Sequence, residues 1–153
     1  IEVGECAAER RALSEATRNR SDLSVILLDI DHFKGINDRF GHQAGDLVLI
    51  VCSRLIQSCL RGSDIVCRWG GEEFLVVLKH CDLDAAWQLA EKIRTTIERE
   101  TVVGGVEEIS VQASLGVVQR HTGEPREQLL ARADQAMYRA KHLGRNRTEK
   151  DAD

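Results

Sequence analysis

Proline is almost missing from this chain, with a single Pro125 in 153 residues, and no tract is biased toward Pro, Gly or Ser. That excludes the disordered and fibrous classes and leaves no obvious linker. No apolar run approaches the roughly 20 residues that a bilayer-crossing helix needs, and the N-terminus lacks a charged-then-apolar export pattern. The expected setting is therefore the cytoplasm, either free or as the cytoplasmic part of a membrane-anchored sensor. An excess of positive charge is also absent: 21 Lys and Arg stand against 25 Asp and Glu, a net charge of −4. A broad nucleic-acid-binding surface is excluded, and any phosphate site must be local. The five cysteines (Cys6, Cys52, Cys59, Cys67, Cys81) contain no C-x-x-C pair and are odd in number. They are expected to be reduced thiols packed as small hydrophobes. No G-x-x-x-x-G-K-[ST] occurs, so a P-loop enzyme is not supported.

What is present is 42% hydrophobic and 30% charged residues, the composition of an ordinary globular chain long enough to bury one core. A single domain is expected over 1–153, with 1–21 as an N-terminal helix or linker and 22–148 as the core. Because it opens on Ile1, the chain is expected to be excised from a longer protein. Residues 6–20, rich in Ala, Glu and Arg, favour helix. Val25-Ile26-Leu27-Leu28 is too short for a typical helix and does not alternate, which suits a central strand covered on both faces, with Asp29 at its end. Residues 33–60 read as a short helix, a turn near Gly41–Gly45 and a longer helix with Leu47, Ile50, Val51, Leu55 and Cys59 on one face. Strands are expected over 64–69 and 72–78, joined by a tight hairpin at Gly70-Gly71 with positive φ at both glycines. A helix over 82–100, one strand over 108–120 and a helix over 125–144, with Pro125 at its start and Gly144 beyond its end, complete the order. The fold class is then α/β, a mixed central sheet flanked by helices.

The chemistry concentrates where apolar strands run out. Glu72 and Glu73 follow Gly70-Gly71 at the start of one strand, and Asp29 closes another. Acids at the edge of a sheet core want a cation, because an unpaired buried carboxylate is costly. A Lys or Arg partner would serve. So would Mg²⁺, which is usually held by one or two carboxylates plus substrate phosphates, provided the two strands are neighbours. Lys34 lies just past the Asp-bearing strand, and Lys141 and Arg145 sit four apart at a helix end. They suit a triphosphate, or simply the negative end of a helix dipole.

Three stretches in order, "DIDHFKGINDRFGHQAGD", "RWGGEEF" and "ADQAMYRAKHLGRN", resemble the blocks of the GGDEF family, the catalytic domain of bacterial diguanylate cyclases, in its GGEEF form over residues 22 to 148. The resemblance implies a nucleotidyl cyclase or polymerase-palm-like fold and the condensation of two GTP into cyclic di-GMP plus pyrophosphate, with Mg²⁺ or Mn²⁺ as cofactor. It implies Asp29, the Ile30 carbonyl and Glu72 as metal ligands, and Glu72, Glu73 and Lys34 as the catalytic set. Asn37 and Asp46 would read guanine, His42 would touch substrate, and Lys34, Lys141 and Arg145 would hold phosphates. Two-metal logic then follows: an activated 3′-hydroxyl attacks the α-phosphorus in line as pyrophosphate leaves. Each domain of a homodimer would present one GTP to the other, under an upstream sensor or regulatory domain. Asp31, His32 and Asp38 fall inside the motif without an assigned chemistry, in solvated or capping roles.

Family members carry an Asp-x-Leu-Thr-like segment before the first helix; of "EVGECAAERR" here only Arg10-Arg11 matches. "RGSD", Arg61 to Asp64, resembles the family's R-x-x-D inhibitory site for the product, with Lys92 or Arg94 as secondary contacts, although the pattern also fits a polar loop. The rival reading is a non-catalytic domain that binds cyclic di-GMP or GTP and signals through a partner.

Overall fold

The computed structural model describes residues 5–151; residues 1–4 of the expected linker and the last two residues lie outside it. Its elements are α1 (Ala7–Asn19), β1 (Leu23–Ile30), α2 (Phe33–Phe40), α3 (His42–Cys59), β2 (Ile65–Arg68), β3 (Glu73–Lys79), α4 (Leu83–Arg99), β4 (Thr101–Gly104), β5 (Glu107–Ser110), β6 (Ala113–Gln119), α5 (Arg126–His142) and β7 (Arg147–Lys150). Five strands form one sheet in the order β2-β3-β1-β6-β7, and β4-β5 make a separate ribbon. Only the β6–β7 pair is parallel. The central sheet is therefore mixed, as expected.

β1 takes the middle position, and all eight of its residues are buried. Its alternation divides the core. Ile26, Leu28 and Ile30 face α3 and α4 through Val48, Cys52, Ile56, Ile93 and Ile97. Val25 and Leu27 face α1 and α5 through Ala12, Ala16, Leu129, Ala133 and Met137. A strand with helices on both sides has no polar face, which is why its sequence shows no period of two. α5 lies close on β6: a Cβ on Gly116 would fall 2.4 Å from both the Ala133 carbonyl oxygen and the Met137 nitrogen.

Several expectations are corrected. The inner face of α3 is Gly45, Val48, Leu49, Cys52, Ile56 and Cys59, while Ile50 is 49% exposed; the apolar run Leu47–Cys52 spans more than one face, so sequence spacing does not single out one stripe. The turn before it is shorter than expected, since α3 begins at His42 directly after Gly41. The single strand over 108–120 is two, β5 and β6, broken at Val111-Gln112, where Gln112 turns its carbonyl to accept from the Asp31 N–H at 2.8 Å. β7 is additional; its polar Arg-Thr-Glu-Lys carries no strand pattern, and it forms because the turn after α5 returns it alongside β6. The Gly70-Gly71 turn is not of the expected type, as neither glycine has a positive φ. Pairing stops at Arg68↔Phe74, and the longer loop closes with the Trp69 and Gly70 N–H groups both donating to the Glu73 carbonyl at 2.8 and 3.3 Å.

Cys6 and Cys67 form a disulfide 61 residues apart in sequence, against the expectation of five reduced thiols. Nothing in the spacing could show that α1 lies over the β2–β3 side of the sheet. Cys52, Cys59 and Cys81 are free and buried, as expected, and burial pushes the Cys52 thiol up to about 12. A second fastening of α1 is the buried Glu9, whose two oxygens accept from Arg126 Nε at 2.8 and 3.1 Å, with the same guanidinium 5.5 Å from the Trp69 ring centre.

Candidate functional site

β1 lies between β3 and β6, so the acids that close β1 and open β3 meet at one rim of the sheet. Asp29 is paired with Glu73 in register, and the Ile30 N–H donates to the Glu72 carbonyl at 3.2 Å. Gly70 makes room for this arrangement: a Cβ there would stand 2.9 Å from Glu73 Oε2. From the last turn of α5, Lys141 Nζ donates to Asp29 Oδ2 at 3.0 Å. Burial pushes the Asp29 carboxyl above its ordinary range; Lys141 pulls against that, and the neighbouring Glu72 and Asp31 charges add to it. Glu73 is raised too, first by burial and then by the charge of Asp29.

Carboxylates that hold each other's pKa up, with one ammonium among them, are short of positive charge. Among the described residues no three or more His, Cys, Asp or Glu side chains form a metal cage. Two acids and a backbone carbonyl at this rim would nonetheless suit Mg²⁺, which takes few protein ligands and fills its remaining positions with water or phosphate oxygens.

Asn37 and Asp46 sit on either side of the α2–α3 corner. Gly45 lets Asn37 lie against the start of α3, because a Cβ at that position would fall 1.8 Å from Asn37 Oδ1. His42 is the exposed first residue of α3. Lys34, in the first turn of α2, and Arg145, in the turn after α5, are both exposed, and among the described residues neither makes an ion pair. Arg145 lies past the end of α5 at His142, so a helix-dipole reading covers Lys141 but not Arg145. A groove of about 490 Å³ runs between α3 and the hairpin, lined in part by Leu49, Ile50, Arg54, Arg68 and Phe74, one helical turn beyond Asp46.

Arg61 and Asp64 are engaged with each other. Arg61 Nη2 donates to Asp64 Oδ1 at 3.0 Å, and its backbone N–H donates to Oδ2 at 2.9 Å. The Asp64 side chain is fully covered, while that of Arg61 is 58% exposed. Lys92 is exposed on α4, on the face that carries Thr96, which meets Cys59 near this loop. Arg94 is engaged elsewhere, with Glu91 at 2.5 Å and Asn146 at 3.1 Å.

Of the three motif residues without an assigned chemistry, Asp38 and His32 are exposed, and His32 occupies the α2 N-cap without a side-chain cap. Asp31 corrects the expectation of a solvated or capping role: it is 5% exposed and accepts from Ser114 Oγ at 2.6 Å and from the Asn146 N–H at 2.9 Å. Sequence reading also passes over Arg68, whose Nη2 donates to the Gly71 carbonyl at 2.6 Å and braces the hairpin. Gly45, Ser114 and Asn146 were equally hidden, because only the tertiary approach of distant segments makes them matter.

Residues 8–147 match the model of "Diguanylate cyclase, GGDEF domain". The chain is similar to diguanylate cyclase A of Treponema denticola, 39% identical over 136 residues, covering 88% of this chain and 37% of that protein. It is similar to diguanylate cyclase DgcM of Escherichia coli K12, 44% identical over 126 residues, covering 82% and 30%. The chain thus spans about a third of the length of these curated relatives. Among solved structures, the GGDEF domain of DgcB from Caulobacter crescentus in complex with c-di-GMP aligns with a TM-score of 0.89 at 32% identity, covering 93% of this chain and 85% of that one. The active GGEEF domain of a Vibrio cholerae diguanylate cyclase aligns at 0.86 and 38%, covering 94% and 91%.

Proposed function

The chain belongs to the GGDEF family of diguanylate cyclases, and on that premise we propose that it condenses two GTP into cyclic di-GMP, releasing pyrophosphate. The observation that carries this reading is the rim where Asp29, Glu72 and Glu73 converge beside Lys141. Asp29, the Ile30 carbonyl and Glu72 would hold Mg²⁺ or Mn²⁺. When bound, the metal supplies charge neutralisation for the triphosphate and acidifies the attacking 3′-hydroxyl. Glu72, with Glu73 beside it, takes the hydroxyl proton.

Asp46 accepts from the N1–H and the N2 amine of guanine, and Asn37 completes the base site; adenine offers no such donor pair. His42 touches the substrate, while Lys34, Lys141 and Arg145 hold its phosphates. Lys141, which donates to Asp29 in this structure, would turn to a phosphate oxygen when that carboxylate is engaged by a cation.

Each active site supplies one GTP, so two copies face each other in a homodimer. The domain works in the cytoplasm, where GTP is, as part of a longer protein whose upstream domain controls the approach of the copies. Residues 22–148 form the catalytic core and 1–21 the connection. Arg61, Asp64 and Lys92 hold the product: the exposed Arg61 fork faces the O6 and N7 edge of guanine, and its present bond to Asp64 frees that carboxylate when it opens.

The test is incubation of the domain with GTP and Mg²⁺ at high protein concentration, with the products separated by chromatography. The parent should form cyclic di-GMP, and Glu72→Ala should lower the rate at least about 10³-fold while the far-UV spectrum stays unchanged. Binding of cyclic di-GMP or GTP without turnover by the parent would instead support the non-catalytic module.

A further inference from the structure

Gly144, Arg145 and Asn146 follow one another with φ of 122°, 61° and 44°. Two successive non-glycine residues in the left-handed region persist only where the surroundings hold them. Three sets of bonds do so here. The Arg145 N–H donates to the Ala140 carbonyl at 3.0 Å, which anchors the turn to α5. The Asn146 side chain accepts from Arg94 Nη1 at 3.1 Å and donates to Glu98, which ties it to α4. The third holder is Asp31, just past the end of β1. One oxygen takes the Asn146 N–H and the other takes the Ser114 hydroxyl of β6, and the carboxylate is almost wholly covered. A buried carboxylate with both oxygens accepting fixes the groups around it far more tightly than a solvated one would.

We propose that Asp31 is a positioning residue: it sets the turn after α5 so that the Arg145 guanidinium is aimed at the phosphate end of the site. The inference rests on the reading above that Arg145 holds phosphate. It explains why an acid two residues beyond Asp29 has both oxygens taken by Ser114 and Asn146, and why the turn that carries Arg145 keeps its disfavoured backbone. Asp31 touches no substrate; it acts through the Asn146 N–H.

The experiment measures binding of two probes by calorimetry with Mg²⁺ present: the non-hydrolysable α,β-methylene analogue of GTP, and guanosine. Asp31→Ala should weaken the triphosphate probe about tenfold, matching Arg145→Ala, with guanosine affinity unchanged; the double variant should be no weaker than either single one, as for two residues acting as a unit. Asp31→Asn should stay within about threefold of the parent, since its carbonyl still accepts from Asn146 and its amide donates to the Ser114 hydroxyl. If Asp31→Ala binds the triphosphate like the parent while Arg145→Ala does not, the positioning role is overturned and the phosphate reading stands. If Arg145→Ala itself binds like the parent, the phosphate reading falls and takes the proposal with it. If Asp31→Asn is as damaging as Asp31→Ala, charge rather than position is what matters, and the proposal fails. Should Asp31→Ala not fold, Ser114→Ala removes one of the two donors; a two- to fourfold loss confined to the triphosphate supports the role, and no loss overturns it.

Discussion

At Gly45 one methyl group would occupy the space now filled by the Asn37 amide. Gly45→Ala should therefore fold, because only the side chains of Asn37 and Phe33 have to give, yet turn Asn37 away from the proposed guanine position. The expected result is a KM for GTP raised about tenfold with kcat changed much less, and a smaller GTP-over-ATP preference, since a base site discriminates through donors and acceptors held in place. Steady-state kinetics with both nucleotides checks it. Asp29 gives a prediction of a different kind. Burial raises its pKa, so the charged form is less favourable in the fold than in the unfolded chain. That cost is full above the raised pKa and fades as the pH falls through it. Asp29→Asn should thus abolish turnover while melting at or above the parent's temperature at pH 7.5, with the difference shrinking toward pH 4. Melting curves at the two pH values decide it. The sequence already marks Asp29 and Glu72, because acids at the ends of apolar strands stand out against their surroundings. Asp31 is just as acidic and just as close, yet nothing local distinguishes its buried bonds to Ser114 and Asn146 from exposure to water.

Legibility among the elements follows how far each one's residues declare their own neighbours. β1 is readable because burial on both faces leaves an unbroken apolar run, and α5 because Pro125 and Gly144 bracket it and Leu129, Ala133, Met137 and Ala140 recur on one side. β7 is unreadable because only the parallel edge of β6 makes a strand of Arg147–Lys150. The seat of α5 on β6 depends on Gly116, where an added Cβ meets backbone rather than a movable side chain. Gly116→Ala must push the helix off the strand, and a loss of about 1–3 kcal/mol is expected, the range for overpacked core positions. Urea unfolding checks this; a loss below about 0.5 kcal/mol would mean that the two elements slide apart freely.

For the molecule as a whole, the proposed reaction needs two such sites. One rim presents one acidic cluster, and the proposed product joins two nucleotides, so specific activity should climb with protein concentration and level off once two copies are paired. Activity per domain that stays constant down to dilutions where only monomer remains would refute the facing-copies arrangement. The fold also carries a linkage that bears on how those copies could be turned. The Cys6–Cys67 bond closes residues 6–67 into a ring, and Asp29, Lys34, Asn37 and Asp46 all lie on its circumference, while the Gly70–Glu73 hairpin begins three residues beyond the clasp. With the Glu9–Arg126 pair and the Trp69 ring alongside, the first helix has little freedom to swivel against the sheet. While the bond is oxidised, torque applied to α1 would reach β2 at Cys67, beside the hairpin, as a crank pinned to its shaft delivers it, rather than being lost in the 60 residues of chain between them.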